Sequence, residues 1–149
     1  MKQFLLMIFA AIMSMTSCSS DDNKGIMDGL GDEMVVSAEN VTLDTSKSDA
    51  IYINVPAEGN SFTLQVNNYD EWWVSTVSVK TADDADYKLA YQSGKNKEVY
   101  KKDWYQVDVN SNKAKCTISE NPQSETRSMK LVMTVGDVFQ TIYIVQAGM

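Results

Sequence analysis

An antiparallel all-β sandwich of about seven to eight short strands is the fold this sequence predicts. Three observations carry that reading. Apolar and polar residues alternate with period two in several short runs. Gly, Asn, Asp and Pro, the residues of tight turns, sit between those runs. After residue 33 no segment shows the 3.6-residue periodicity of an amphipathic helix.

The runs can be taken in chain order. Ile51, Ile53 and Val55 alternate with Tyr52 and Asn54, and Phe62, Leu64 and Val66 alternate with Thr63 and Gln65. Residues 72–79 (WWVSTVSV) are aromatic and β-branched. Tyr105, Val107 and Val109 alternate with Gln106 and Asp108. Residues 115–119 (KCTIS), 127–135 (RSMKLVMTV) and 138–145 (VFQTIYIV) complete the set. The breaks include Glu58-Gly59-Asn60 and Asn121-Pro122. Gly136-Asp137 between two β-rich runs predicts a two-residue hairpin turn, so the last two strands should be antiparallel neighbours. Residues 81–102 are longer, polar and Tyr-containing, and read as an extended loop or an edge excursion. Strands of this number and spacing, in about 115 residues, suit a sandwich of immunoglobulin type.

The first 33 residues do not belong to that pattern. Lys2 is followed by an apolar run of about ten residues (FLLMIFAAIM) and then by small residues ending in Ser17-Cys18. The run is half the roughly 20 residues of a membrane-spanning helix and has the length of a signal peptide. A Cys directly after a small residue at this distance fits lipoprotein processing, with residues 1–17 removed and Cys18 carrying the lipid. The competing reading is an ordinary signal peptide with an incidental Cys. Acyl chains contribute about 0.8 kcal/mol per buried methylene, and two or more give a stable anchor. Membrane is therefore expected as a partner through the N-terminal lipid alone. Residues 18–33 are polar and Gly-rich and read as a flexible linker. Their Asp21-Asp22 pair is similar to the Ser-plus-acidic signal that Bacteroidetes use to export lipoproteins to the cell surface, or is a solvated charge cluster. The expected location is the outer membrane, at the cell surface or on the periplasmic face. Residues 34–149 form the domain.

Composition narrows the function classes. Loss of Lys2 from 13 basic residues leaves 12 against 20 acidic ones, a mature net charge of −8. Such a surface repels nucleic acid and anionic lipid. No His is present, which removes the commonest general base and metal ligand. With Cys18 lipidated, Cys116 is the one remaining thiol and reads as a small buried strand residue. No GxSxG, HExxH, CxxC or phosphate-binding Gly-rich motif occurs. No catalytic residue, metal site or cofactor is expected.

The order of the strand residues carries a resemblance. Phe62-x-Leu64-x-Val66, Trp72-Trp73-x-Ser75 (with one residue between), Asn110, Arg127 opening a strand and Ile142-x-Ile144-x-Gln146 together resemble the BACON domain. That family comprises small immunoglobulin-like sandwiches of Bacteroidetes, often joined to glycosidases or proteases. The likeness runs from about Ile51 to Gly148 and is strongest in TIYIVQAG. It implies an exported sandwich that binds glycan or mucin, or one that holds a partner away from the membrane. The segment between Val79 and Trp104 is longer than the family pattern, and this chain carries no catalytic domain beside the sandwich.

Sugars bind in water through aromatic faces helped by amides and carboxylates. The chain has three Trp and seven Tyr. Trp72 and Trp73, adjacent in a strand, must point to opposite faces, so one fills the core and the other is a binding candidate. Tyr91 and Trp104 lie in or beside the long polar segment, with Tyr87, Tyr100, Asp83, Asp84, Asp86, Gln92 and Asn96. The candidate ligand residues are therefore Trp72, Trp73, Tyr91 and Trp104. The plainer alternative is that the tyrosines cover the sandwich edge. Asp83-Asp84-x-Asp86 could offer oxygens to calcium but lacks the Gly and distant Glu of a calcium loop. Arg127 could bind an anion, or pair with an acidic neighbour. The expected function is non-catalytic binding of glycan or mucin, with a structural or protein-assembly role as the alternative.

Overall fold

The computed structural model describes residues 31–47, 49–92 and 99–149. The signal peptide, Cys18 and residues 18–30 of the linker lie outside the described residues. Ten strands occur among those described: β1 (Val36–Glu39), β2 (Ile51–Val55), β3 (Asn60–Val66), β4 (Trp73–Lys80), β5 (Lys88–Gln92), β6 (Val99–Lys102), β7 (Tyr105–Asn110), β8 (Lys113–Ile118), β9 (Arg127–Val135) and β10 (Val138–Gln146). They form two five-stranded sheets, ordered β1-β3-β8-β7-β6 and β2-β10-β9-β4-β5. In sequence order β1-β3-β8-β7 follows the ABED order of the immunoglobulin sandwich and β10-β9-β4 its GFC order.

Two expectations need correction. The strand number is ten rather than seven or eight. The additional strands, β1, β5 and β6, have four or five residues and lie at or next to sheet edges. These three strands bury few side chains, so little apolar alternation marks them; β5 and β6 fall inside residues 81–102, expected as an extended loop or an edge excursion, and both are edge strands. The sandwich is also not wholly antiparallel, because β2 pairs with β10 in parallel, Ile142 opposite Ile51 and Gln146 opposite Val55. The chain leaves β1 through Asn40, in left-handed conformation at φ 65°, and crosses to the other sheet before β2 begins.

The core lies between the sheets. Phe62, Leu64, Val66, Val107, Ala114 and Ile118 point inward from the first sheet; Ile53, Val74, Val77, Met129, Leu131, Met133, Ile142 and Ile144 do so from the second. A fully buried side chain of this size contributes about 1.5–3 kcal/mol relative to exposure. Cys116 packs among them on β8, and burial pushes its thiol up to about 12. The Gly136-Asp137 hairpin forms as expected, with Val138 opposite Val135. Gly136 has φ 57° and Asp137 does not share the positive φ, the pattern of a type II′ turn.

The register defines two poles. β9 runs about 27 Å from Arg127 to the hairpin tip at Val135. The hairpin pole also receives the start of the described chain: the Tyr69 hydroxyl donates to the Asp32 carbonyl at 2.6 Å, and a Cβ on Gly31 would meet Val138. The opposite pole gathers the β2–β3, β4–β5, β6–β7 and β8–β9 connections.

Candidate functional site

A buried polar network organises that opposite pole. Gln146, at the end of β10, is fully buried. Its Nε2 amide donates to the carbonyls of Ser119 (2.8 Å), Ala57 (3.1 Å) and Pro56 (3.2 Å), and its Oε1 accepts from Nε of Arg127 at 2.9 Å. Asn121 is also buried; its Nδ2 donates to the carbonyls of Glu125 (2.9 Å) and Ala147 (3.0 Å). These bonds tie the β2–β3 turn, the β8–β9 connection and the chain after β10 into one unit. The turn itself needs Gly59, at φ 90°, where a Cβ would sit 2.3 Å from the Ile118 carbonyl oxygen.

Arg127 faces outward from this unit. Its Nη2 donates to the carbonyls of Ser119 (3.0 Å) and Glu120 (2.8 Å). Its guanidinium lies over the ring of Trp104, 4.4 Å from the centroid. The expected acidic partner of Arg127 is not found among the described residues; neutral oxygens hold it instead. Burial lowers its pKa from the usual guanidinium value. Trp104 sits in the two-residue turn between Lys102 and Tyr105. Its carbonyl accepts from Ser119 N at 2.8 Å, and its ring meets Tyr105 edge-on at 5.3 Å.

These residues open onto a cleft of about 360 Å³. Thr81, Ala82 and Asp83 line it from the β4–β5 connection, Trp104 from the β6–β7 turn, and Asn121, Gln123, Glu125, Thr126 and Arg127 from the other side. The lining thus combines an aromatic ring, a guanidinium, two amides and two carboxylates around a space of small-ligand size.

The other three candidate residues lie elsewhere. Trp72 is 4% exposed and belongs to the core, so it offers no ring face to a ligand. Trp73 opens β4 on the outer face of the second sheet, where its cross-strand partner Thr134 also opposes Phe139. Thr134 is buried despite facing outward, between these two aromatic neighbours. Tyr91, on β5, packs edge-on against Tyr100 of β6 at 5.8 Å and donates its hydroxyl to the Lys101 carbonyl. It clasps the edges of the two sheets, as the plainer reading of these tyrosines has it.

The main aromatic cluster was not legible in the sequence. Tyr52 and Tyr143 are partners across β2 and β10 and stack at 5.0 Å; Tyr87 tilts against Tyr143 at 5.7 Å. Lys47 covers the Tyr52 ring at 3.9 Å. These ring faces are occupied by one another and by lysine, which leaves little face for a sugar. In the acidic triplet, Asp84 accepts from the backbone N–H and hydroxyl of Thr81 and pairs with Lys88. Those contacts hold its carboxyl down at about 2, the Lys88 contact being the largest cause. Among the described residues no group of three or more acidic, Cys or His side chains is placed to hold a metal ion.

No protein-family model matches the chain, and no curated protein is significantly similar to it in sequence. Among solved structures it is similar to one described as the NMR structure of the protein from Bacteroides thetaiotaomicron, with 26% identity and a TM-score of 0.58. The match covers 88% of this chain and 97% of the other.

Proposed function

We propose that this protein is a lipid-anchored, non-catalytic glycan-binding module that binds through the Trp104 cleft. The observation that carries the reading is the cleft's lining: an aromatic ring beside Arg127, Asn121, Gln123, Asp83 and Glu125. The Trp104 ring carbon outside the Arg127 contact suits the C–H face of a sugar, and the exposed Gln123 amide and the Asp83 and Glu125 carboxylates suit its hydroxyls. The position supports the reading as well. The described chain starts at the hairpin pole, about one strand length from the cleft, so the domain's own entry point does not cover it. The resemblance to BACON domains agrees with this role. Non-catalytic action accords with a chain that has no histidine.

The test is a broad glycan and mucin panel probed with the wild type and with Trp104→Ala. Retention of a glycan by the wild type and its loss in a folded Trp104→Ala supports the reading. No retention across the panel, or equal retention by both proteins, overturns it. Metabolic labelling with a palmitate analogue tests the anchor: the wild type should be labelled and Cys18→Ser should not.

A protein-assembly role is the second reading. It is favoured by Phe139 and Leu89, 60% and 58% exposed on the second sheet. Phe139→Ser with Leu89→Ser should then abolish capture of a surface partner without touching glycan retention.

A further inference from the structure

We propose that the Trp104 cleft selects a sugar bearing an acid group, a carboxylate or a sulfate ester, with Nη1 of Arg127 as the point of recognition. This rests on the glycan-binding reading and specifies its ligand class. Arg127 keeps its positive charge at neutral pH, yet among the described residues its partners are all uncharged: Gln146 Oε1 on Nε, and the Ser119 and Glu120 carbonyls on Nη2. The described residues offer Nη1 no acceptor, and no carboxylate pairs with the guanidinium. A partly buried cation without a counter-charge is solvated incompletely, so an anion arriving there completes a charge-assisted contact.

The geometry favours recognition over simple charge attraction. Three hydrogen bonds fix the guanidinium plane, and Trp104 supports it from below. The Nη1 edge is therefore presented in one orientation, the condition for directional binding of a planar or tetrahedral oxyanion. The rest of the lining argues against a bare inorganic anion. Asp83 and Glu125 would repel a multiply charged ion but accept hydroxyl donors well. One acid group at Arg127 and several hydroxyls at the two carboxylates and the Gln123 amide describe an acidic sugar.

The experiment uses the full chain, ¹⁵N-labelled, in neutral detergent micelles. Glucuronate, glucose 6-sulfate, glucose and glucosamine are titrated separately and followed by NMR. Glucuronate, glucose 6-sulfate or both should bind about tenfold more tightly than glucose, since a charge-assisted hydrogen bond replaces a neutral one. The Arg127 Nε–H and Trp104 indole N–H signals should shift, and affinity should fall as salt rises. Whichever acid binds identifies the source of the charge. In Arg127→Lys the preference over glucose should shrink. That variant also loses the Gln146 contact, so the wild-type shifts decide the matter if it fails to fold. Equal affinity for glucose and both acids, a preference for glucosamine, or shifts confined to other residues overturns the inference while leaving glycan binding intact. No response to any sugar here, together with a blank glycan panel, overturns both.

Discussion

Gln146 and Arg127 are cross-strand partners on β10 and β9, joined by a 2.9 Å hydrogen bond from Nε to Oε1. The amide is fully buried and also serves the Pro56, Ala57 and Ser119 carbonyls. Gln146→Leu would preserve much of the volume and remove every one of these bonds. A buried group left without its partner costs about 1–3 kcal/mol, more when it is charged. The substitution should therefore destabilise the domain by about 2–4 kcal/mol in chemical denaturation. That is a large part of an ordinary domain's stability. A loss below about 0.5 kcal/mol, the scale of a neutral surface change, would show that packing alone holds this pole.

Trp72 and Trp73 should respond to alanine very differently. Trp72 lies in the core, where removing the indole leaves a cavity; the expected cost is about 3–5 kcal/mol. Trp73 is half-buried on the outer sheet face beside Thr134, and its loss should cost less than half as much. Thermal melts of the two variants check this. Equal shifts in melting temperature would contradict the inward and outward assignment.

How much of this could be read in advance depended on whether the signal was local. The final hairpin was legible because Gly136-Asp137 stands between two β-rich runs. Cys116 was legible as a strand residue from its alternating neighbours. The parallel partnership of β2 with β10 was not, because no local pattern states which strand a run will join. The Tyr52–Tyr143 stack was hidden for the same reason: the two residues are 91 positions apart and meet only through that register. The cleft was half legible. Trp104 stands out as an aromatic in or beside the long polar segment, whereas nothing in the sequence marks Gln123 or Glu125. Arg127 stands out as the residue that opens a strand, but nothing in the sequence marks its partners, the Gln146 side chain and the Ser119 and Glu120 carbonyls.

The Cys116 thiol should be inert in the folded protein. Burial raises its pKa to about 12, so the reactive thiolate is negligible at pH 8, and the surrounding core excludes reagents. A thiol-specific disulfide reagent should modify native Cys116 only at the rate of unfolding and should modify it rapidly in denaturant. Fast native labelling at Cys116 would mean that β8 opens independently of the rest of the sandwich.

Asp84 gives the β4–β5 connection a defined acid limit. Its carboxyl is held at about 2, against an ordinary 3.8, by Lys88 first and then by the Thr81 N–H and hydroxyl. The folded state therefore takes up a proton at Asp84 less readily than the unfolded chain does. The contribution of these contacts is complete above about pH 4 and disappears as the pH falls toward 2. NMR titration should place the Asp84 midpoint near 2 and show the Thr81 amide shifting with it. In Lys88→Ala the largest cause is removed, so the midpoint should move back toward 3.8 while the Thr81 contacts persist. In Asp84→Asn the Thr81 amide should no longer titrate in that window. An Asp84 midpoint near 3.8 in the wild type, or one unmoved by Lys88→Ala, would mean that the Lys88–Asp84 pair does not persist in solution.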